Sequence, residues 1–124
     1  MTDPVEHPAH YTSHPSGVEA IDLCETLSFC LGNAVKYLFR RDLKGHQLED
    51  LRKSAWYLRR ANGTYQSIQF NRQKLALVLQ HEPVGSVLSE VLVELDVHYS
   101  SKDAIFSALS RVNREISEVE NLGL

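Results

Sequence analysis

Positive charge and aromatic rings are concentrated in one stretch of the chain, residues 32–60. The whole chain has 13 Lys and Arg against 16 Asp and Glu, a net charge of −3. Residues 32–60 hold three acidic residues, Asp42, Glu49 and Asp50, against eight basic ones, so the rest of the chain has a net charge of −8. The basic residues are Lys36, Arg40, Arg41, Lys44, Arg52, Lys53, Arg59 and Arg60. Cations and rings at this density can neutralise an anion and stack on a flat group.

The apolar residues of this stretch recur at the spacing of two amphipathic helices joined by a short turn. Their apolar faces consist of Leu31, Ala34, Val35 and Leu38, and of Leu48, Leu51, Ala55 and Leu58. The opposite faces consist of Asn33, Lys36, Tyr37, Arg40 and Lys44, and of Glu49, Asp50, Lys53, Trp56, Tyr57 and Arg60. Large rings that lie among cations and away from the leucines form a surface suited to a nucleotide. The alternative is that these rings pack against another element or a second subunit.

Length and composition indicate one globular domain, with 124 residues, 43% of them apolar and 23% charged. Cys24 and Cys30 have neither a metal-site spacing nor a disulfide framework, which predicts a reducing, cytoplasmic setting. The polar, proline-rich beginning of the chain is not a signal peptide, and no apolar run approaches the ~20 residues of a membrane span. The net acidity argues against broad DNA binding.

Residues 1–16 are predicted to form an extended arm, because their three prolines disfavour a helix. The three histidines of the arm are not completed by a cluster of Cys or carboxylates, so we predict no metal site there. An arm folded back over the two basic helices would present His10 and Tyr11 to a ligand.

The remainder of the chain predicts an all-α multi-helix bundle with a helical C-terminal assembly region, one domain overall. Helices are expected at about 18–27, 28–41 and 48–60, followed by a moderately helical pattern over 65–80. Residues 84–99 fit a helix, with a strand as the alternative. The last helix begins near Ser101 and presents a heptad-like seam of Ile105, Leu109, Val112, Ile116 and Val119, which suits pairing within the chain or across a dimer. Residues 17–64 then form a basic and aromatic core, and residues 65–124 an acidic helical scaffold.

Five motifs occur in order along residues 7–60. They are His10-Tyr11-Thr12, Gly17-Val18-Glu19-Ala20-Ile21-Asp22, Gly32-Asn33-Ala34-Val35-Lys36-Tyr37-Leu38 followed by Arg40, Lys44-Gly45, and Leu48-Glu49-Asp50-Leu51-Arg52-Lys53-Ser54-Ala55-Trp56-Tyr57-Leu58. In these motifs the chain resembles the small phage-encoded SaV-like family, over nearly half of its length. It departs from the family pattern at Ser54, where alanine is usual, and at Arg41-Asp42-Leu43, which precede the lysine of the turn.

One branch of that family is described as a phage nucleotide kinase, which transfers a phosphoryl group from a nucleoside triphosphate to a deoxynucleoside monophosphate. The resemblance therefore implies a nucleoside triphosphate as phosphate donor, with Mg²⁺ as a candidate cofactor. The chain has no GxxxxGK[ST] loop, so such a transfer could not use the usual phosphate cradle.

The resemblance implies a set of site residues, with no metal ligands among them. Lys36 and Arg40 are the catalytic candidates, and the substrate-binding candidates are His10, Tyr11, Asn33, Tyr37, Lys44, Glu49, Asp50, Lys53, Trp56 and Tyr57. In this interpretation Lys36, Arg40 and Lys53 contact phosphates. The rings of Tyr11, Tyr37, Trp56 or Tyr57 enclose the base, Asn33 binds base or sugar, and Glu49 or Asp50 orients a lysine or a metal-bound water.

Three functions remain open on this basis. The chain is a deoxynucleotide kinase, a non-catalytic protein that sequesters a nucleotide, or a phage protein that binds a host defence or replication protein through its basic aromatic face. In each case we expect a protein of the host cytoplasm, no membrane partner, and a homo-oligomer formed through the C-terminal helices.

Overall fold

In a computed structural model, the structure is described for Val5, residues 14–40 and residues 46–122. Within this part of the chain there are six α-helices and no strand: α1 (Ala20–Cys24), α2 (Phe29–Arg40), α3 (Gln47–Ala61), α4 (Arg72–His81), α5 (Val87–Val97) and α6 (Ser101–Asn121). The predicted all-α, multi-helix fold is confirmed. Most of the predicted N-terminal arm lies outside the described residues. None of the helices described has the length and apolar character that crossing a membrane would require.

The helices share one hydrophobic core that draws on both halves of the sequence. α2 and α3 run antiparallel and pack closely, as the buried hydrogen bond from Ser54 Oγ to Ala34 O at 2.9 Å shows. α6 packs against both α3 and α5, and α1 covers one side of α2. The leucines and the isoleucine that are fully buried come from five of the six helices: Leu23, Leu31, Leu38, Leu51, Leu58, Leu88, Leu92, Leu95 and Ile105. Burial of this apolar surface is the main stabilising contribution.

Local signals set the ends of the later helices. The side chains of Asn71, Ser86 and Ser100 each accept a hydrogen bond from the backbone N–H three residues further on, which caps α4, α5 and α6. Gly63 and Gly85 have φ angles of 86° and 80°, a region that glycine enters without a steric penalty. α3 accordingly ends at Ala61, close to its predicted end at about residue 60, and residues 87–97 are a helix and not a strand.

Two predicted helices are shorter than their apolar pattern indicated. α1 is limited to Ala20–Cys24, because the chain turns at Glu25 and pairs Leu27 with Ile68 in an isolated bridge. The same bridge holds residues 65–70 in non-helical backbone, where a moderately helical pattern was predicted, and Phe70 is buried there. A long-range pairing has overridden the local preference.

The heptad-like seam of α6 is used inside the chain. Ile105, Val112 and Val119 are buried, and Leu109 and Ile116 pack against the same core. Of the two pairings that the sequence left open, the structure contains the one within the chain. The seam therefore gives no independent support for a dimer, and a homo-oligomer through the C-terminal helices stays a prediction.

Candidate functional site

Four aromatic side chains form one cluster on the outer side of α2 and α3. The rings of Tyr37 and Tyr57 are stacked, with centroids 6.0 Å apart and an interplanar angle of 16°. Trp56 meets Tyr57 edge-on at 5.0 Å, and Phe29 does so at 6.1 Å. We call Phe29, Tyr37, Trp56 and Tyr57 the aromatic cluster. Because α2 and α3 are antiparallel, residues that lie far apart in sequence become neighbours on this surface.

Three cations surround the ring of Tyr37. The Nζ atoms of Lys36 and Lys53 lie 4.7 and 5.4 Å from its centroid, and the Cζ atom of Arg40 lies 5.7 Å from it. These distances are within the range of cation–π attraction. We call Lys36, Arg40 and Lys53 the cation group. Its members come from two helices, so only the packing of α2 on α3 brings them together.

Carboxylates on α3 contact two members of the cation group. Lys53 Nζ lies 3.3 Å from Glu49 Oε1, an exposed i,i+4 pair on one helix. Arg40 Nε lies 3.4 Å from Asp50 Oδ1, where the Asp50 side chain is 1% exposed and that of Arg40 is 16% exposed. Asp50 Oδ2 is also buried, with no hydrogen-bond partner in the described part of the chain. The assignment of Asp50 to the face opposite the leucines was wrong, because its side chain is buried and turns toward Arg40. Arg40 itself lies between this carboxylate and the ring of Tyr37, on the predicted face.

Asn33 and Lys36 also line a cavity of about 300 Å³ between α1 and α2. Its other walls include Ile21, Cys24, Phe29 and Gly32. Gly32 lets the two helices approach, since a Cβ atom there would lie 3.0 Å from the carbonyl oxygen of Cys24. Asn33 Nδ2 donates to the backbone carbonyl of Phe29 at 2.9 Å, which orients the amide.

The thiol of Cys24 is kept neutral at this cavity. Burial raises the pKa of Cys24 to about 12, and the nearby charge of Lys36 lowers it by a smaller amount. A neutral, partly buried thiol is a poor nucleophile and a poor metal ligand. Cys24 therefore contributes apolar surface to the cavity.

Nine of the twelve predicted site residues are described, and they lie on α2 and α3. Tyr37, Lys36, Arg40 and Lys53 are brought into one group, with Tyr57 and Trp56 beside it. Asn33 lies further along α2, where it lines the cavity. Glu49 and Asp50 are engaged with cations. His10, Tyr11 and Lys44 lie outside the described residues.

Sequence reasoning missed Phe29 and Ile21, which border the cavity and are 75% and 59% exposed. A signal for Phe29 was present, because positions 29, 33, 36 and 40 fall on one helical face. Ile21 gave no such signal, since its role depends on how α1 packs. Within residues 14–40 and 46–122, no group of three or more His, Cys, Asp or Glu could hold a metal ion.

Comparison with known proteins gives one similarity. Residues 5–59 match the model of a family described as a protein of unknown function, DUF3310. The match includes α1, α2 and most of α3, and hence the aromatic cluster and the cation group, whereas α4–α6 lie outside it. No curated protein and no solved structure matches the chain.

Proposed function

We propose that this protein binds a nucleoside phosphate at the cation group and the aromatic cluster, and transfers a phosphoryl group as a deoxynucleoside monophosphate kinase without a P-loop. The observation that carries the proposal is the convergence of Lys36, Lys53 and Arg40 on the ring of Tyr37. Phosphoryl transfer requires positioning and charge neutralisation above all, which such a group can supply. The phage origin and cytoplasmic location in this proposal rest on the motif resemblance.

The reaction itself needs no general base from the protein. An oxygen of the deoxynucleoside monophosphate attacks the γ-phosphorus of a nucleoside triphosphate, and the bond from that phosphorus to the β,γ-bridging oxygen breaks. The electron pair leaves with the bridging oxygen, so the products are two nucleoside diphosphates. Lys36 and Lys53 would neutralise the equatorial oxygens of the transferred group. Asp50 would hold the guanidinium of Arg40 in place beside Tyr37.

Binding a phosphate here requires little rearrangement. The Lys53–Glu49 pair is exposed, and exposed i,i+4 pairs contribute only about 0.3–0.5 kcal/mol. Lys36 has no carboxylate within ion-pair distance among the described residues. The described residues do not form a metal site of their own, so we derive no step from Mg²⁺; it stays a candidate that the phosphates of the donor would carry.

A thermal-shift screen of nucleoside mono- and triphosphates, with and without Mg²⁺, tests the binding. A nucleotide at a hundred times its Kd should stabilise the protein by about 2.7 kcal/mol, or about 10 °C in Tm for a domain of this size. Lys36→Gln and Lys53→Gln should reduce the shift, whereas Lys102→Gln, at an exposed position of α6, is the matched control. An unchanged shift in both site variants would refute the site.

Product formation distinguishes the three functions. Transfer from a labelled triphosphate to a bound monophosphate supports the kinase. Saturable binding without transfer supports a sequestering protein, and absence of nucleotide binding together with a stable host-protein complex supports the interaction role. One observation favours the interaction role: the side chains of Trp56 and Phe29 are exposed. Exposed aromatic groups among cations are typical of protein interfaces, so a host protein would bind at this surface.

Self-association is a separate proposal. Since the seam of α6 is buried, assembly through the C-terminal helices would use their outer faces, where Val97 and Val93 of α5 are 62% and 41% exposed. Sedimentation velocity of the wild type and of Val97→Ser tests it: the variant should shift toward the monomer, and a monomeric wild type would refute it.

A further inference from the structure

The rings of the aromatic cluster differ in how much surface they can offer to a base. Tyr37 already has the ring of Tyr57 stacked on it and the ammonium groups of Lys36 and Lys53 against it. Tyr57 is contacted by three rings, those of Phe29, Tyr37 and Trp56. These two tyrosines therefore act as a platform that holds the lysines, and their faces are largely engaged.

The side chain of Phe29 is largely exposed to solvent and borders a cavity. Its side chain is 75% exposed, although it contacts Tyr57 through an edge-on arrangement at 6.1 Å. The cavity that it borders has a volume of about 300 Å³, at the lower end of the range for small-molecule sites. Ile21 of α1, 59% exposed, borders the same cavity. Two large exposed apolar groups on neighbouring helices thus line one cavity that opens to solvent.

The cavity lining includes the polar side chains of Glu25, Ser28, Asn33 and Lys36, and among these the amide of Asn33 suits one edge of a base. Asn33 Nδ2 uses one N–H on the carbonyl of Phe29. In the described part of the chain its second N–H and its Oδ1 have no partner, which leaves one donor and one acceptor on an oriented amide. A base presents such a donor and acceptor pair on its edge.

Lys36 connects this cavity to the phosphate-binding group. It lines the cavity, and its Nζ also lies 4.7 Å from the ring centroid of Tyr37, in the cation group. Asn33 and Lys36 are three positions apart on α2, so they are neighbours on one helical face. A ligand with a ring in the cavity and an anion at Lys36 would satisfy both features.

We infer that the cavity between α1 and α2 holds the base of the bound nucleotide, with Phe29 as the stacking wall and Asn33 as the group that recognises the edge of the base. This inference rests on the proposed function and adds to it the position and orientation of the ligand. The base lies in the cavity, and the phosphates extend from Lys36 toward Lys53.

Isothermal titration with the nucleotide that gives the largest thermal shift tests the inference, using Phe29→Ala and, as matched control, Phe106→Ala. The two phenylalanines are 75% and 69% exposed, on α2 and α6. Loss of one stacking partner should weaken binding by about tenfold in Phe29→Ala. Phe106→Ala should stay within about twofold of the wild type. Phe29→Leu, which keeps apolar bulk but has no π face, replaces Phe29→Ala if circular dichroism shows that the latter is unfolded.

A probe without a base separates stacking from a general loss of the site. Deoxyribose 5-phosphate should bind wild type and Phe29→Ala equally, whereas Lys36→Gln should weaken both this probe and the nucleotide. Asn33→Ala should reduce the difference in Kd between the four bases, and Asn113→Ala, at an exposed position of α6, should leave that difference unchanged.

The outcomes are distinct for the two proposals. If the wild type binds a nucleotide and Phe29→Ala does not weaken that binding, or if Phe106→Ala weakens it equally, the position of the base is wrong. The proposed function would still stand in that case. Equal weakening of the base-free probe by Phe29→Ala would overturn the stacking role. Absence of binding by every nucleotide would overturn both.

Discussion

Replacing Arg40 by methionine should destabilise the protein by about 3 kcal/mol, because it leaves the buried carboxylate of Asp50 without its ion-pair partner. At a separation of 3.4 Å and an effective dielectric constant of about 20, the attraction between the two groups is about 5 kcal/mol. Part of that attraction is offset by the cost of removing the charges from water. For a domain whose total stability is on the order of 5–15 kcal/mol, a loss of about 3 kcal/mol is large.

Lys36→Met is the matched control, because Lys36 lies one helical turn before Arg40 and also contacts Tyr37. It is partly exposed and has no carboxylate partner among the described residues, so the same replacement should cost about 1 kcal/mol or less. Urea unfolding followed by circular dichroism measures both, with the free energy of unfolding extrapolated to water at constant m-value.

A double-mutant cycle with Asp50→Asn identifies the cause of the loss. Asparagine is close in shape to aspartate but uncharged, so adding Asp50→Asn to Arg40→Met should recover about 2 kcal/mol of the loss. The reasoning is refuted if Arg40→Met and Lys36→Met cost the same, or if the interaction energy between positions 40 and 50 is below about 0.5 kcal/mol. For binding studies the charge-preserving Arg40→Lys is therefore the better variant.

Three further predictions concern the packing of α2. Ser54→Ala should cost about 1 kcal/mol in urea unfolding, since it removes the buried hydrogen bond to Ala34 O; a stabilised variant would contradict this. Gly32→Ala should cost about 1 kcal/mol or more in the same assay, because the new Cβ would lie 3.0 Å from the Cys24 carbonyl and α1 would have to shift. With a pKa of about 12, only about one Cys24 thiol in ten thousand is ionised at pH 8, so labelling by a disulfide reagent should be slow and should accelerate as the pH rises toward 12. Lys36→Gln should slow this labelling further, because the charge of Lys36 lowers the pKa of the thiol, and fast labelling in the folded protein would contradict the raised pKa.

The helices that could be predicted best are those defined by local signals. α3 and α6 follow from their apolar spacing, and their bounds lie close to the predicted ones. Ser86 and Ser100 cap α5 and α6 by accepting hydrogen bonds from the backbone N–H three residues further on, a local signal that the sequence analysis did not use. The local pattern was misleading where a distant segment pairs with the chain. Ile68 pairs with Leu27 in an isolated bridge, and α1 therefore ends earlier than its apolar spacing indicated.

The basic aromatic surface was predictable for a similar reason. Residues on one face of a helix recur at 3.6-residue spacing, so the placement of Asn33 beside Lys36, and of Lys53 beside Tyr57, needs no tertiary information. The same reasoning failed for Asp50, because a helical face does not reveal which of its edges meets the neighbouring helix. Its partner, Arg40, is ten positions away, and only the α2–α3 packing brings the two together.

The sequence by itself determined the helical class and the enrichment of cations and rings on two adjacent helices, because both are properties of short-range periodicity and composition. Only the tertiary structure decided which cations converge on Tyr37, that Asp50 is buried against Arg40, and that Gly32 lets α1 approach α2 beside a cavity. The physical reason is that charge pairing and cavities depend on distances between helices, and these distances result from the packing of the whole core.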